Sequence, residues 1–154
     1  MAKVIVAYES KYGNTKLVAQ TIIEGMKEVE GLEVVLSELR EVDFDEIPEY
    51  DAILIGSPSH WGGPTRGVRK FIDKLGKLRL EGKLFAVFDT CLGGDFEKAV
   101  KKMEKRISEK ISGVKRIAPG LSIKVQGMKG PLIEGELSKC KDFGNKIATQ
   151  IKTG

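Results

Sequence analysis

The sequence predicts an α/β protein: a doubly wound sandwich whose five-stranded parallel sheet has the order 2-1-3-4-5, with helices on both faces. Three observations predict it. Short apolar runs alternate along the chain with segments of helical periodicity, which is how successive βα units read. Most of the runs are apolar at nearly every position, as strands buried on both faces are. Gly, Ser and Thr gather in the loops after the first, third and fourth runs, while the loops at the opposite edge are charged or ordinary turns. With right-handed crossovers, few topologies remain for five such units in 154 residues.

The elements follow in order. Residues 2–8 form the first strand, with Val4, Ile5, Val6 and Ala7 in a near-continuous apolar run. Residues 15–29 form a helix with Val18, Ile22 and Met26 on one face, and Gly31 is placed to stop it. Residues 32–39, "LEVVLSEL", are the second strand, and 42–47 a connection of about one helical turn. Residues 52–56, "AILIG", are the third strand, and 65–75 a helix with Val68, Phe71, Ile72 and Leu75 inward. Residues 83–88, "KLFAVF", are the fourth strand, and 95–111 a long helix that opens with Phe96 packed into the core. Residues 114–117 and 121–125 form a fifth strand interrupted at Pro119-Gly120. Residues 134–151 close the chain as a helix. There is no internal repeat or low-complexity tract, so residues 1–154 are read as one domain.

Composition excludes several classes of function. No apolar run reaches the roughly 18 residues of a membrane span, so no membrane insertion is expected. The opening "MAKVIVAYES" lacks the long apolar stretch of a signal peptide, so a cytoplasmic location is expected. Cys91 and Cys140 make no CxxC and are expected as reduced thiols, and with His60 as the single histidine no metal site is expected. Lys and Arg number 26 against 22 Asp and Glu, a mild net charge of +4. The densest basic run, residues 98–110 "KAVKKMEKRISEK", has interleaved Glu and helical apolar spacing; it is read as a solvated helix face, not a nucleic-acid site.

In a sheet of this order, ligands sit at the carboxyl ends of the strands, at the switch point between strands 1 and 3. The first loop there, "ESKYGNT", opens a helix, whose N-terminus presents unpaired N–H groups and partial positive charge suited to a phosphate. Ser10, Tyr12 and Thr15 add hydroxyls, and Gly13 lets the backbone come close. GxxxxGK[ST] and GxGxxG are both absent, which points to a phosphate monoester held by neutral donors, not to a triphosphate with magnesium. Helix capping by Ser10 or Asn14 is the alternative.

"SKYGNT" at residues 10–15 resembles the flavodoxin phosphate loop, [ST]-x-[TY]-G-N-T. The resemblance extends to "GSPSHWGG" at 56–63 and "FDTCLGG" at 88–94, and covers essentially the whole chain with the βα spacing of a short-chain flavodoxin. The order 2-1-3-4-5 is the family's own, so the topology reading is partly borrowed from it. The resemblance implies a flavodoxin-like fold and FMN as cofactor. It implies that Ser10, Lys11, Tyr12, Gly13, Asn14 and Thr15 hold the phosphate, and that two further loops enclose the isoalloxazine ring: Pro58, Ser59, His60, Trp61, Gly62 and Gly63, then Thr90, Cys91, Leu92, Gly93, Gly94 and Asp95. Trp61 is the natural stacking partner, with His60 able to share or replace it. Gly62-Gly63 is where the family flips a peptide on reduction, which stabilises a flavin semiquinone.

The chain departs from the family pattern in two respects. The third loop offers no aromatic residue for the outer ring face, leaving it to Leu92 or Cys91 or open, and the chain is basic where familiar members are acidic. The implied function is a one-electron carrier between redox partner proteins, monomeric or weakly dimeric. The alternative on the same fold is an FMN-dependent NAD(P)H:quinone or iron reductase; no insertion is present to shape its pocket. A receiver module would need an acidic pair after strand 1 and an Asp ending strand 3, and a small phosphatase CxxxxxR; the chain has neither.

Overall fold

The fold is described from a computed structural model over residues 1–153. Its elements are β1 (Ala2–Tyr8), α1 (Asn14–Met26), β2 (Leu32–Glu38), β3 (Ala52–Pro58), α2 (Arg66–Leu75), β4 (Leu84–Cys91), α3 (Lys98–Lys110), β5 (Lys115–Arg116), β6 (Leu121–Lys124) and α4 (Glu136–Thr153). Every strand pairing is parallel, and the sheet runs β2-β1-β3-β4-β5 with β6 also on β4. β5 and β6 are two pieces of the interrupted fifth strand. β5 pairs with the start of β4 (Leu84↔Lys115) and β6 with its end (Phe88↔Leu121).

Strand alternation builds two cores from one sheet. Along β1, Val4 and Val6 point to a layer formed with Leu54, Phe88, Ile22 of α1 and Ile147 of α4. Ile5 and Ala7 point the other way, to Ile53, Ile55, Phe71 and Ile72 of α2, and Met103 and Ile107 of α3. α1 and α4 meet through glycines: a Cβ on Gly144 would strike the Ile22 carbonyl, and one on Gly25 the Lys141 carbonyl. α2 starts cleanly because the Thr65 hydroxyl accepts from the Val68 N–H at 3.2 Å.

The structure moves several expected boundaries. β3 and β4 run on to Pro58 and Cys91, because their ladders continue through polar letters (Ser57↔Asp89, Pro58↔Thr90) that carry no apolar signal. Thr90 and Cys91 are therefore strand residues. α1 ends at Met26, tightened by Glu28 N–H to Gly25 O and Val29 N–H to Met26 O; Gly31 leads into β2 instead of capping the helix. α3 starts at Lys98, after a 3₁₀ turn over Gly93–Asp95 and a left-handed Glu97 at φ 65°. Two 3₁₀ turns, Leu39–Glu41 and Ile47–Glu49, flank the connection expected at 42–47.

Candidate cofactor-binding site

The strand ends that carry the small-residue loops lie in one rung: Tyr8 pairs with Gly56, Gly56 with Phe88 and Phe88 with Leu121. Beyond that rung the loops enclose a cleft of about 420 Å³. Ser10, Lys11, Tyr12, Asn14 and Thr15 line it from the first loop and Pro58, Ser59, His60 and Trp61 from the second. Thr90, Cys91, Leu92 and Asp95 line it from the third. Gly13, Gly62, Gly63, Gly93 and Gly94 shape the turns without forming the wall, and Gly63 lines a neighbouring cleft instead. Val125 and Met128 complete the wall from a fourth segment that the sequence reading did not single out. The signal was there: "VQGMKGP" at 125–131 is a Gly/Pro-rich loop at the same sheet edge.

At the first loop, the Ser10 hydroxyl accepts from the N–H groups of Gly13 (3.1 Å) and Lys16 (3.3 Å), and the N-cap position is Gly13. The N–H groups of Asn14 and Thr15, in the first turn of α1, have no intrahelical acceptor. Thr15 Oγ1 lies 2.9 Å from Thr90 Oγ1, which ties the first loop to the third. Lys11 and Lys129 place their ammonium groups over the Tyr12 ring at 5.4 and 5.9 Å, so this end of the cleft is cationic. Gly130 abuts the Asn14 side chain and joins the fourth segment to the first.

The second loop is a tight hairpin. His60 and Gly63 exchange both backbone hydrogen bonds, at 2.7 and 3.0 Å. Trp61 (φ 54°) and Gly62 (φ 75°) between them both have positive φ, as a type I′ turn requires. The Gly62–Gly63 peptide is thus pinned by the Gly63 N–H, and the peptide free of ladder bonds is Trp61–Gly62. Trp61 is fully exposed, at 101% of its reference surface, so it does not pack in the core. Ser59 is tied to β4 through its N–H to the Thr90 carbonyl at 2.8 Å, and its hydroxyl is buried with no partner.

The third loop rests on a buried polar knot. Asp89, wholly buried, accepts from Ser122 Oγ at 2.6 Å and from the Val100 N–H at 3.1 Å. Burial pushes its carboxyl up to about 6, with those hydrogen bonds pulling the other way. Ser122 Oγ also accepts from the Glu97 N–H at 2.9 Å and lies 3.3 Å from Cys91 Sγ. Cys91 is buried there, and its thiol is raised chiefly by burial; Cys140 is pushed up to about 12 for the same first cause. Both cysteines are free. Leu92 is exposed at the cleft. Phe96, expected in the core, is exposed instead, with Lys124 Nζ 4.8 Å from its ring centre; the chain breaks before α3 and turns the ring out.

These walls fit a planar ring carrying a phosphate. Helix N–H groups, hydroxyls and a free indole line one cleft, with open space above Gly13. The unpartnered Ser59 hydroxyl of the same lining is a donor and acceptor that a polar ring edge would satisfy.

Fold and cleft together define a doubly wound α/β protein with an open cleft at its β1/β3 switch point, where folds of this class take their ligands. Comparison with known proteins narrows this. A family model described as Flavodoxin matches residues 6–134. A flavodoxin from the domain Archaea is 28% identical over 97% of this chain and 99% of that one, with a TM-score of 0.83. Oxidised Flavodoxin 2 from Bacillus cereus is 32% identical over 97% and 99%, with a TM-score of 0.82. Rubredoxin oxygen:oxidoreductase from Desulfovibrio gigas, 22% identical, shares the fold with a TM-score of 0.79 over 98% of this chain and 36% of its own. This chain belongs to the flavodoxin family, whose members bind FMN, transfer electrons and act with redox partner proteins. None of its helices is long and apolar enough to cross a membrane, among the described residues.

Proposed function

We propose that this protein is a one-electron carrier that holds FMN in the cleft between β1, β3 and β4 and cycles it through the semiquinone. The observation that carries the reading is the presence, in one cleft, of the α1 N-terminus and the wholly exposed Trp61. The cofactor supplies one-electron chemistry; the residues supply binding and environment. Ser10, Tyr12 and Thr15 and the N–H groups of Lys11, Tyr12, Asn14 and Thr15 hold the phosphate, with Gly13 leaving room for it. Trp61 stacks on the ring, with His60 beside it. The Ser59 hydroxyl and the backbone from Thr90 to Asp95 meet the polar ring edge. Leu92 and Met128 take the outer-face position where the third loop has no aromatic residue.

A carrier is favoured over a reductase because, among the described residues, no segment is inserted between the elements of the fold to build a nicotinamide or quinone pocket. The test is the visible spectrum of the purified protein. A yellow protein whose photoreduction passes through a blue neutral species supports the reading, and a colourless protein that takes up no FMN removes it. Steady turnover of NAD(P)H without a partner reductase overturns the carrier assignment.

A further inference from the structure

The basic run "KAVKKMEKRISEK" forms α3, apart from the cofactor cleft. The structure packs it against α2 and opens a second cleft of about 580 Å³ between the two helices. Arg66, Arg69, Lys102, Lys105, Arg106 and Lys110 line it, against the single carboxylate of Glu109. Five of these cations are exposed. The sixth, Arg106, makes a two-pronged ion pair with Asp73 of α2, through Nε at 2.8 Å and Nη2 at 2.6 Å, that braces the two helices. So most of the excess charge of a chain that is only +4 overall is concentrated in one groove.

Position gives this charge meaning. His60 and Trp61 line both clefts, so they form the ridge between the basic groove and the cofactor cleft. The exposed apolar groups Leu92 and Met128 line the cofactor cleft together with the ridge. An apolar centre with a charged flank is how a protein-binding face is built. The cations run from Lys102 to Lys110, about 12 Å along α3, too spread and too solvated for one small anion.

We propose that the α2–α3 groove is the docking surface for an acidic protein, seated against the His60–Trp61 ridge. That the partner is a redox protein rests on the function proposed above; its acidity rests on the groove alone. Complementary charge steers such a partner to the ridge and raises the rate of encounter.

The test uses an acidic [2Fe–2S] ferredoxin as probe and a basic cytochrome c as its opposite. Each is titrated into the isotope-labelled full chain, FMN-loaded and cofactor-free, and followed by amide chemical shifts. The ferredoxin is expected to shift α2, α3 and the ridge in both forms. Its affinity is expected to fall about tenfold between low salt and about 0.2 M. The pair Arg66→Glu and Lys102→Glu should weaken it about tenfold. The milder Lys102→Gln with Lys105→Gln should do so by less, and Lys27→Glu with Lys146→Glu on the opposite helix layer should leave it within about twofold. Shifts confined elsewhere, salt-indifferent binding, or equally tight binding of cytochrome c or a short oligodeoxynucleotide overturn the proposal. Failure to take up FMN removes the cofactor reading instead, and the cofactor-free titration still decides the docking.

Discussion

Ser59 lies just past β3 with its hydroxyl buried and unpaired, a condition that costs roughly 1–3 kcal/mol. Removing that hydroxyl therefore separates folding from binding. Ser59→Ala should leave the cofactor-free protein as stable or slightly more so in a denaturant melt. The same change should weaken FMN about fivefold in a fluorescence titration. Trp61→Ala should weaken FMN about tenfold with no loss of stability, because an indole this exposed contributes nothing to the core. Asp89 makes a pH prediction. Its carboxyl is raised from 3.8 to about 6, so between those values the folded protein binds more proton than the unfolded one. Its contribution to stability is fully present below the lower value and is lost as pH rises through the upper, by about 3 kcal/mol. Asp89→Asn should flatten that part of the stability–pH profile relative to the parent protein in parallel melts at pH 4 and pH 7. Of these three residues, Ser59 and Trp61 were both named from the sequence as cofactor-binding, and the exposure of Trp61 was legible because a Trp among Gly, Ser and Pro at a strand end is out of place in a core. Burial of a single hydroxyl or carboxyl depends on what packs over it, and no local pattern carries that.

Among the elements, α1 matters most, because its first turn opens on the cleft where we propose the phosphate sits while its last turn is locked to α4. Gly144 and Gly25 let the two helix backbones touch. Gly144→Ala should push on the Ile22 carbonyl, cost about 1–3 kcal/mol, and lower the thermal midpoint by about 5 °C. If the helix yields by sliding, FMN affinity falls with it, which the same fluorescence titration reads. The strand cores at 2–8, 52–56 and 83–88 were plain in the sequence because a strand buried on both faces has nothing but apolar letters. Their carboxyl ends were not. Ser57, Asp89 and Thr90 continue the ladder with polar side chains, so the rule that finds a strand by its apolar letters stops short of the strand's true end. The start of α3, expected at 95 and found at Lys98, was hidden for a related reason: the Glu97 N–H donates to the Ser122 hydroxyl, a long-range contact of a kind that no window of neighbouring residues contains.

On the scale of the whole molecule, sign of charge sets the chemistry that is easy. The fully reduced, anionic flavin is stabilised by nearby cations, and this chain carries a net +4 with the densest positive charge beside the cofactor cleft. Its second reduction potential should therefore be less negative than in acidic members of the family. The pair Arg66→Glu and Lys102→Glu should make it more negative; a spectroelectrochemical titration of both proteins checks the order. The ridge of His60 and Trp61 has a thermodynamic consequence of its own. It is a shared wall, so whatever moves it on one side is felt on the other. Linkage is reciprocal: if a molecule in the groove tightens the hold on cofactor by some factor, cofactor tightens the hold on that molecule by the same factor. Trp61, one of the two left-handed residues of the tight turn, stands in that shared wall, so a shift of the turn on cofactor uptake would change the face the groove presents.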